Sequence, residues 1–327
     1  MKSTSDSMFS GPKVLYHAIS SYQLLETILH RQQFHSEDRA VLLLPDFIVK
    51  KYPQYAKLVS LGLFDEVYLF PYLHIPHGNE QQVMEDVARC YRDTVPHDIT
   101  GFSSVYVAGA HFYFSLYLIQ NNIPFVFLED AAGMLSRPED LEQALAVKFP
   151  LHAQLAGRYG LYDGSQPLAR RILCLKSAQT KDVSGKKYLD FSVEDALQEL
   201  SSSNRRRVIR FFLRGRIFAR AQAVLLTQQF ANLGVMSERR QMELYEDLRD
   251  GVLQGVRLVV KKHPDDTLDY RSIFPRAKII RPVFPSELLP YVFWHKPPVL
   301  YAFDSTGCEN LKKHFIIQKL GRVRHVE

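Results

Sequence analysis

Short continuous apolar runs alternate with stretches of helical spacing through the first part of the chain. Val14–Ala18, Ala40–Asp46, Glu66–Pro71, Ser104–Gly109 and Pro124–Leu128 each read as a strand, the second and third broken by a proline. Between them, Ser21–His30 and Asn79–Asp93 carry apolar residues at helical periodicity, and Phe112–Gln120 is rich in aromatic residues. Alternation of this kind predicts a parallel sheet with helices on both faces. The unbroken apolar character of the runs agrees, because parallel strands are buried on both sides.

From Ser136 to Asn204 the pattern weakens. Polar helical stretches mix with loop signals such as Tyr162-Asp163-Gly164-Ser165, and no strand pattern is clean there. Ser201-Ser202-Ser203-Asn204 reads as a linker or a helix entry. Alternation then resumes with strands at Ala223–Gln228, Val256–Lys261, Lys278–Ile280 and Pro298–Phe303. A helix is predicted over Ser237–Gly251 and another over Ser286–Phe293, each opened by a capping serine. The pattern therefore predicts an α/β protein of two Rossmann-like domains, residues 1–200 and 201–327, joined near residue 200.

Composition changes this picture little. The 327 residues are 46% hydrophobic and 23% charged, which describes a globular chain. A net charge of +6 points to an acidic partner without naming it. No apolar stretch reaches the roughly 18 residues of a membrane span. The start, Met1–Ser7, is polar and lacks the apolar core of a secretory signal. Cys90, Cys174 and Cys308 stand far apart, without disulfide or metal spacing. A reduced, cytoplasmic protein is expected.

Chemistry in such a fold is read at the strand ends. Leu258-Val259-Val260 stops abruptly at Lys261-Lys262-His263-Pro264, and Pro264 biases His263 toward extended backbone at the end of its strand. Two cations and an imidazole there suit a phosphate. The strand before Thr227-Gln228 offers groups that can hydrogen-bond a base or ribose. The last strand delivers Asp304-Ser305-Thr306-Gly307, where hydroxyls and a helix start could meet a phosphate. In the first domain, Pro124–Leu128 ends at Glu129-Asp130, and a carboxylate beside another at a cleft can act as a general base. Carboxylates in one domain, with cation, imidazole and hydroxyls in the other, suit transfer of a group from a nucleotide-linked donor to an acceptor hydroxyl.

These residues resemble a known family group. Lys262-His263-Pro264 is similar to the His-Pro motif of bacterial sialyltransferases and polysialyltransferases, and Ser305-Thr306 resembles their paired hydroxyl motif. Glu129-Asp130 followed by Gly133 resembles their acidic motif, with Ala131 and Ala132 inserted before the glycine. Leu225-Leu226-Thr227-Gln228 is similar to the strand that opens the second domain of the lipooligosaccharide sialyltransferases, glycosyltransferase family 52. The resemblance implies a GT-B fold, with two Rossmann-like domains facing each other across a cleft. It implies metal-independent, inverting transfer of sialic acid from CMP-sialic acid to a glycan acceptor, with no cofactor. Asp130 would then be the base, with Glu129 as its substitute. His263 would assist the departing phosphate, and Lys262, Pro264, Ser305, Thr306, Thr227 and Gln228 would line the nucleotide and phosphate site.

Other chemistries find less support. Neither Glu129-Asp130 nor Asp265-Asp266 has the Asp-X-Asp spacing of a metal-dependent transferase, and His74 and His77 read as loop residues rather than ligands. There is no glycine-rich dinucleotide fingerprint, P-loop or nucleophile elbow. Two rivals remain: a GT-B transferase using a UDP-hexose or CMP-Kdo, and a non-catalytic adaptor on membrane or nucleic acid. The second rests on Arg205–Arg220, where arginines interleave with large apolar residues and Gly215 interrupts the run. Peripheral contact with a membrane through that stretch is expected for a lipid-linked acceptor. No nucleic-acid partner is expected, because no binding module accompanies it.

Overall fold

Each apolar run of the first half pairs with its neighbours in parallel, as its burial on both faces requires. The computed structural model describes residues 12–76, 78–280, 284–303 and 306–321. Within it the chain divides into two compact units whose boundary falls between Phe212 and Leu213.

The first unit holds β1 (Lys13–His17), β2 (Arg39–Pro45), β3 (Glu66–Phe70), β4 (Ser104–Ala108) and β5 (Phe125–Leu128). Two further strands, β6 (Ala169–Cys174) and β7 (Tyr188–Asp190), extend the sheet, which runs β3-β2-β1-β4-β5-β6-β7. These two lie in the Ser136–Asn204 region, where the sequence shows no clean strand pattern. In β6 the exposed Arg170 and Arg171 precede buried Ile172, Leu173 and Cys174, so no apolar run is visible. The edge strand β7 is three residues long, with Leu189 and Asp190 exposed.

The second unit holds β8 (Ala223–Leu226), β9 (Leu258–Lys261), β10 (Lys278–Ile280), β11 (Val299–Ala302) and β12 (Ile316–Lys319), ordered β10-β9-β8-β11-β12. The edge strand β12 has no apolar signature either, because it has no buried residue. Both sheets are parallel throughout, and strand order reverses between β1 and β4 in one, between β8 and β11 in the other. At such switch points the loops leave a crevice for ligands.

The helices form where periodicity and capping agree. Ser20 caps the helix Ser21–Phe34 by accepting from the Gln23 N–H at 3.2 Å, and Leu24, Leu25, Ile28 and Leu29 are buried. Asn79 caps Glu80–Thr94, which buries Val83, Val87 and Tyr91 on one face. Each such side chain contributes about 1.5–3 kcal/mol by leaving water. Ser237 caps Glu238–Asp250 as expected. The expected helix at Ser286–Phe293 is a 3-10 turn, Ser286–Leu288, running into Leu289–Val292.

The Ser201–Asn204 stretch is a helix entry: the Ser201 hydroxyl accepts from the Asn204 N–H at 3.2 Å. The helix Ser202–Phe212 buries Val208, Phe211 and Phe212 and leaves Arg206, Arg207 and Arg210 exposed. It belongs to the first unit, so the boundary lies one helix beyond residue 200. All three cysteines are buried free thiols. Among the described residues no helix is long and apolar enough to cross a membrane.

Gly109 turns the chain at the end of β4 with φ 70°, a conformation that L side chains avoid. A Cβ there would lie 2.6 Å from Ile19 Cγ1 and 3.0 Å from Gln23 Oε1. Gly109→Ala is expected to lower stability by about 1–3 kcal/mol, read as a reduced urea midpoint.

Candidate functional site

Strand β5 delivers Glu129 and Asp130 to the C-terminal edge of the first sheet, and their environments separate their roles. Glu129 is buried, and both of its oxygens are occupied from within the chain. Oε1 accepts from the Leu135 N–H at 3.1 Å and Gln179 Nε2 at 2.6 Å, while Oε2 accepts from the Leu175 N–H at 3.2 Å. Burial pushes its pKa up to about 7 against these hydrogen bonds. The carboxylate organises a loop rather than reaching a substrate. Gly133 completes that loop with φ 85°, where a Cβ would meet the Ala178 carbonyl at 2.9 Å.

Asp130 is 21% exposed at its side chain, and burial pushes its pKa up to about 6. Gln23 Nε2 donates to its Oδ1. The orientation of that amide is fixed, because Gln23 Oε1 accepts from the Ile19 N–H at 2.8 Å. His111 Nδ1 lies 3.9 Å from the same carboxylate oxygen, with the His111 pKa lowered to about 4 by burial. A partly exposed carboxylate with a raised pKa, held by a neutral amide beside a neutral imidazole, is suited to accept a proton near neutral pH.

His17 sits nearby at the end of β1 but is closed to chemistry. Its Nδ1 donates to the Ala108 carbonyl and its Nε2 accepts from the Tyr72 hydroxyl, both at 2.8 Å. Burial lowers its pKa to about 3, so it pins β1 to the end of β4 as a neutral ring.

In the second unit the turns after β8 and β9 are bound into one piece. The Thr227 hydroxyl accepts from the His263 N–H at 3.0 Å and donates to Asp266 Oδ2 at 3.4 Å. Asp266 also accepts from Tyr270 Oη at 2.5 Å and from Gln241 Nε2 at 3.2 Å. Gln241 Oε1 accepts from the Ala231 N–H at 2.7 Å, and the Gln228 N–H donates to Tyr245 Oη at 2.8 Å. Thr227 is thus spent on the loop, and the backbone of Gln228 is too.

Within this frame His263 Nδ1 accepts from the Asp265 N–H at 3.2 Å, which holds the neutral ring in the tautomer protonated at Nε2. His263, Lys262, Pro264, Tyr270 and Ile279 line a pocket of about 460 Å³. Lys262 Nζ donates to the Leu268 carbonyl at 2.6 Å and lies 5.9 Å from the centroid of the Tyr270 ring. Lys261 is buried, 4.6 Å from the centroid of the Phe284 ring, and desolvation lowers its pKa to about 8. Beside it Glu287, also buried, has its pKa pushed up to about 7 by desolvation.

Thr306 opens the 3-10 turn Thr306–Leu311, and Ser305 and Asp304 lie outside the described residues, as do His77 and Met1–Ser7. His74 belongs to a 3-10 turn after β3. Among the described residues no cluster of histidine, cysteine and carboxylate could hold a metal ion. Sequence reasoning missed Gln23, His111 and Gln241, and weighed Asp266 only as a metal ligand. Gln23 is 107 positions from Asp130, and only the pairing of β1, β4 and β5 brings them together.

No known family profile matches the sequence. A 66-residue stretch is 35% identical to an uncharacterized protein of Haemophilus influenzae, covering 20% of this chain and 21% of that relative. Solved structures resemble the whole chain. The S. aureus MnaA structure with UDP gives a TM-score of 0.56 at 12% identity, over 96% of this chain and 80% of the other. Arabidopsis thaliana UGT89C1 complexed with UDP-L-rhamnose gives 0.53 at 10% identity, over 94% and 79%. A Listeria monocytogenes protein, provisionally described as a UDP-N-acetylglucosamine 2-epimerase, gives 0.54 at 13% identity, over 97% and 81%. The chain therefore has a GT-B-type fold, built of two Rossmann-like domains.

The two carboxylates should separate in experiment. Glu129→Ala strands three donors and is expected to cost about 2–5 kcal/mol. Asp130→Ala should leave the melting temperature within a few degrees of wild type. Thermal unfolding followed by circular dichroism distinguishes the two.

Proposed function

We propose that this chain is a metal-independent glycosyltransferase that moves sialic acid from CMP-sialic acid to a glycan acceptor with inversion. The observation that carries the reading is a division of labour between strand ends. One GT-B domain offers a partly exposed carboxylate with a raised pKa, and the other an imidazole N–H at a polar pocket. Asp130 takes the proton of the acceptor hydroxyl as its oxygen attacks the anomeric carbon. The bond to CMP breaks, and the electron pair leaves with the phosphate. His263 Nε2–H hydrogen-bonds the charge developing there. Gln23 holds the base in place, and Glu129 serves its loop.

The His-Pro and Ser-Thr motifs favour a CMP donor and a kinship with family 52. A second reading keeps the reaction and changes the donor to a UDP-hexose. It is favoured by the fold neighbours solved with UDP and UDP-L-rhamnose. Screening CMP, UDP and GDP by thermal shift separates them, since a ligand that binds only the folded state raises its stability. CMP is expected to raise the melting temperature most, and a larger shift with UDP would move the assignment to the hexose donor.

Asp130→Asn and His263→Ala are each expected to lower kcat by about 10²–10⁴-fold with the fold intact. A base works only when ionised. With the Asp130 pKa near 6, kcat/KM should be flat above that pH and fall about tenfold per unit below it. An acid limb near pH 4, measured on donor consumption, would exclude Asp130 as the base.

A further inference from the structure

The basic run Leu213–Arg220 lies against Tyr291–Pro298 in the second unit, and their pairing turns aromatic rings outward. The Ile217 N–H donates to the Val292 carbonyl at 2.5 Å, and the Trp294 N–H donates to the Ile217 carbonyl at 3.2 Å. This parallel bridge sets Ile217 beside the buried Phe293. The flanking Phe218 and Trp294 are left 60% and 62% exposed. The Arg216 guanidinium lies 5.3 Å from the centroid of the Trp294 ring, and Lys278 Nζ donates to the Phe218 carbonyl at 3.3 Å. Arg214, Arg216, Arg220 and Lys296 are exposed, and neither segment contains an aspartate or glutamate.

A tryptophan and a phenylalanine exposed together on two paired segments form an apolar patch of the kind that marks a contact surface. The surroundings select the cover. Rings that would enter an apolar layer, flanked by Arg214, Arg216, Arg220 and Lys296, match the boundary between headgroups and acyl chains of an anionic bilayer. There tryptophan prefers the interface and arginine pairs with lipid phosphate. A soluble polyanion such as heparin would satisfy the arginines but leave the rings wet, and no nucleic-acid-binding module accompanies the patch. We infer that the Phe218–Trp294 patch, with Arg214, Arg216 and Arg220, is a membrane-docking surface for anionic lipid. This divides the basic stretch anticipated from sequence. Arg205–Arg210 lie on a helix of the first unit, and the contact forms at the loop beyond it. The inference does not depend on the catalytic reading.

Trp294 is the sole tryptophan of the chain, so its emission reports this surface directly. The wild-type chain is titrated with vesicles of phosphatidylcholine alone and with vesicles containing phosphatidylglycerol. Emission should move to shorter wavelength with the anionic vesicles only, and brominated acyl chains should quench it. In flotation, Phe218→Ser and Arg216→Glu should each reduce vesicle-bound protein several-fold without changing the melting temperature. Unchanged emission would overturn the inference, even if the protein floats. An equal shift with heparin or single-stranded DNA would assign the patch to polyanions and overturn it. So would a shift that appears on raising protein concentration without lipid, which would mark contact between copies of this chain.

Discussion

Parallel sheets whose central strands are covered on both faces leave those strands few places for a polar side chain to meet solvent except their ends. Every feature of the candidate site follows from that constraint. The middles of β1, β2 and β4 are buried and largely apolar, so polar groups such as Lys13, Arg39, Ser104 and His17 stand at the strand ends. His17, Gly109, Asp130, Thr227 and His263 all stand at or just beyond the C-terminal end of a strand. The reversal of strand order between β1 and β4, and between β8 and β11, decides which of these ends become neighbours.

Desolvation then sorts groups of the same chemical type. Glu129 and Asp130 are adjacent in sequence and both have raised pKa values. Internal donors occupy the first, while the second keeps an exposed side and a single amide partner. His17 spends both nitrogens on the fold, and His263 Nδ1 accepts from the Asp265 N–H within its own turn. The hydrogen bonds that the scaffold claims thus distinguish Glu129 from Asp130.

Much of this was legible in the chain. Continuous apolar runs marked the buried strands, and Lys261-Lys262-His263-Pro264 marked the end of β9. The strands that escaped notice, β6, β7 and β12, lie toward the sheet edges, where arginines or exposed residues interrupt the run. Thr227 read as a ligand group, yet its hydroxyl is committed to His263 and Asp266, a claim that depends on contacts across 36 and 39 positions. Gln23 and His111 were invisible for the same reason. The basic run after Asn204 looked like one element, but its apolar residues divide between a helix buried in the first unit and a loop in the second.

The central claim is that these strand ends carry out group transfer from a nucleotide-linked sugar. Phosphorus NMR of the purified chain with CMP-sialic acid and a glycan acceptor tests it most directly. The account predicts that the donor resonance is replaced by that of free CMP, and that His263→Ala slows this conversion by orders of magnitude. Donors that remain intact, CMP-sialic acid and UDP-hexose alike, with a folded protein and acceptor present, would contradict it.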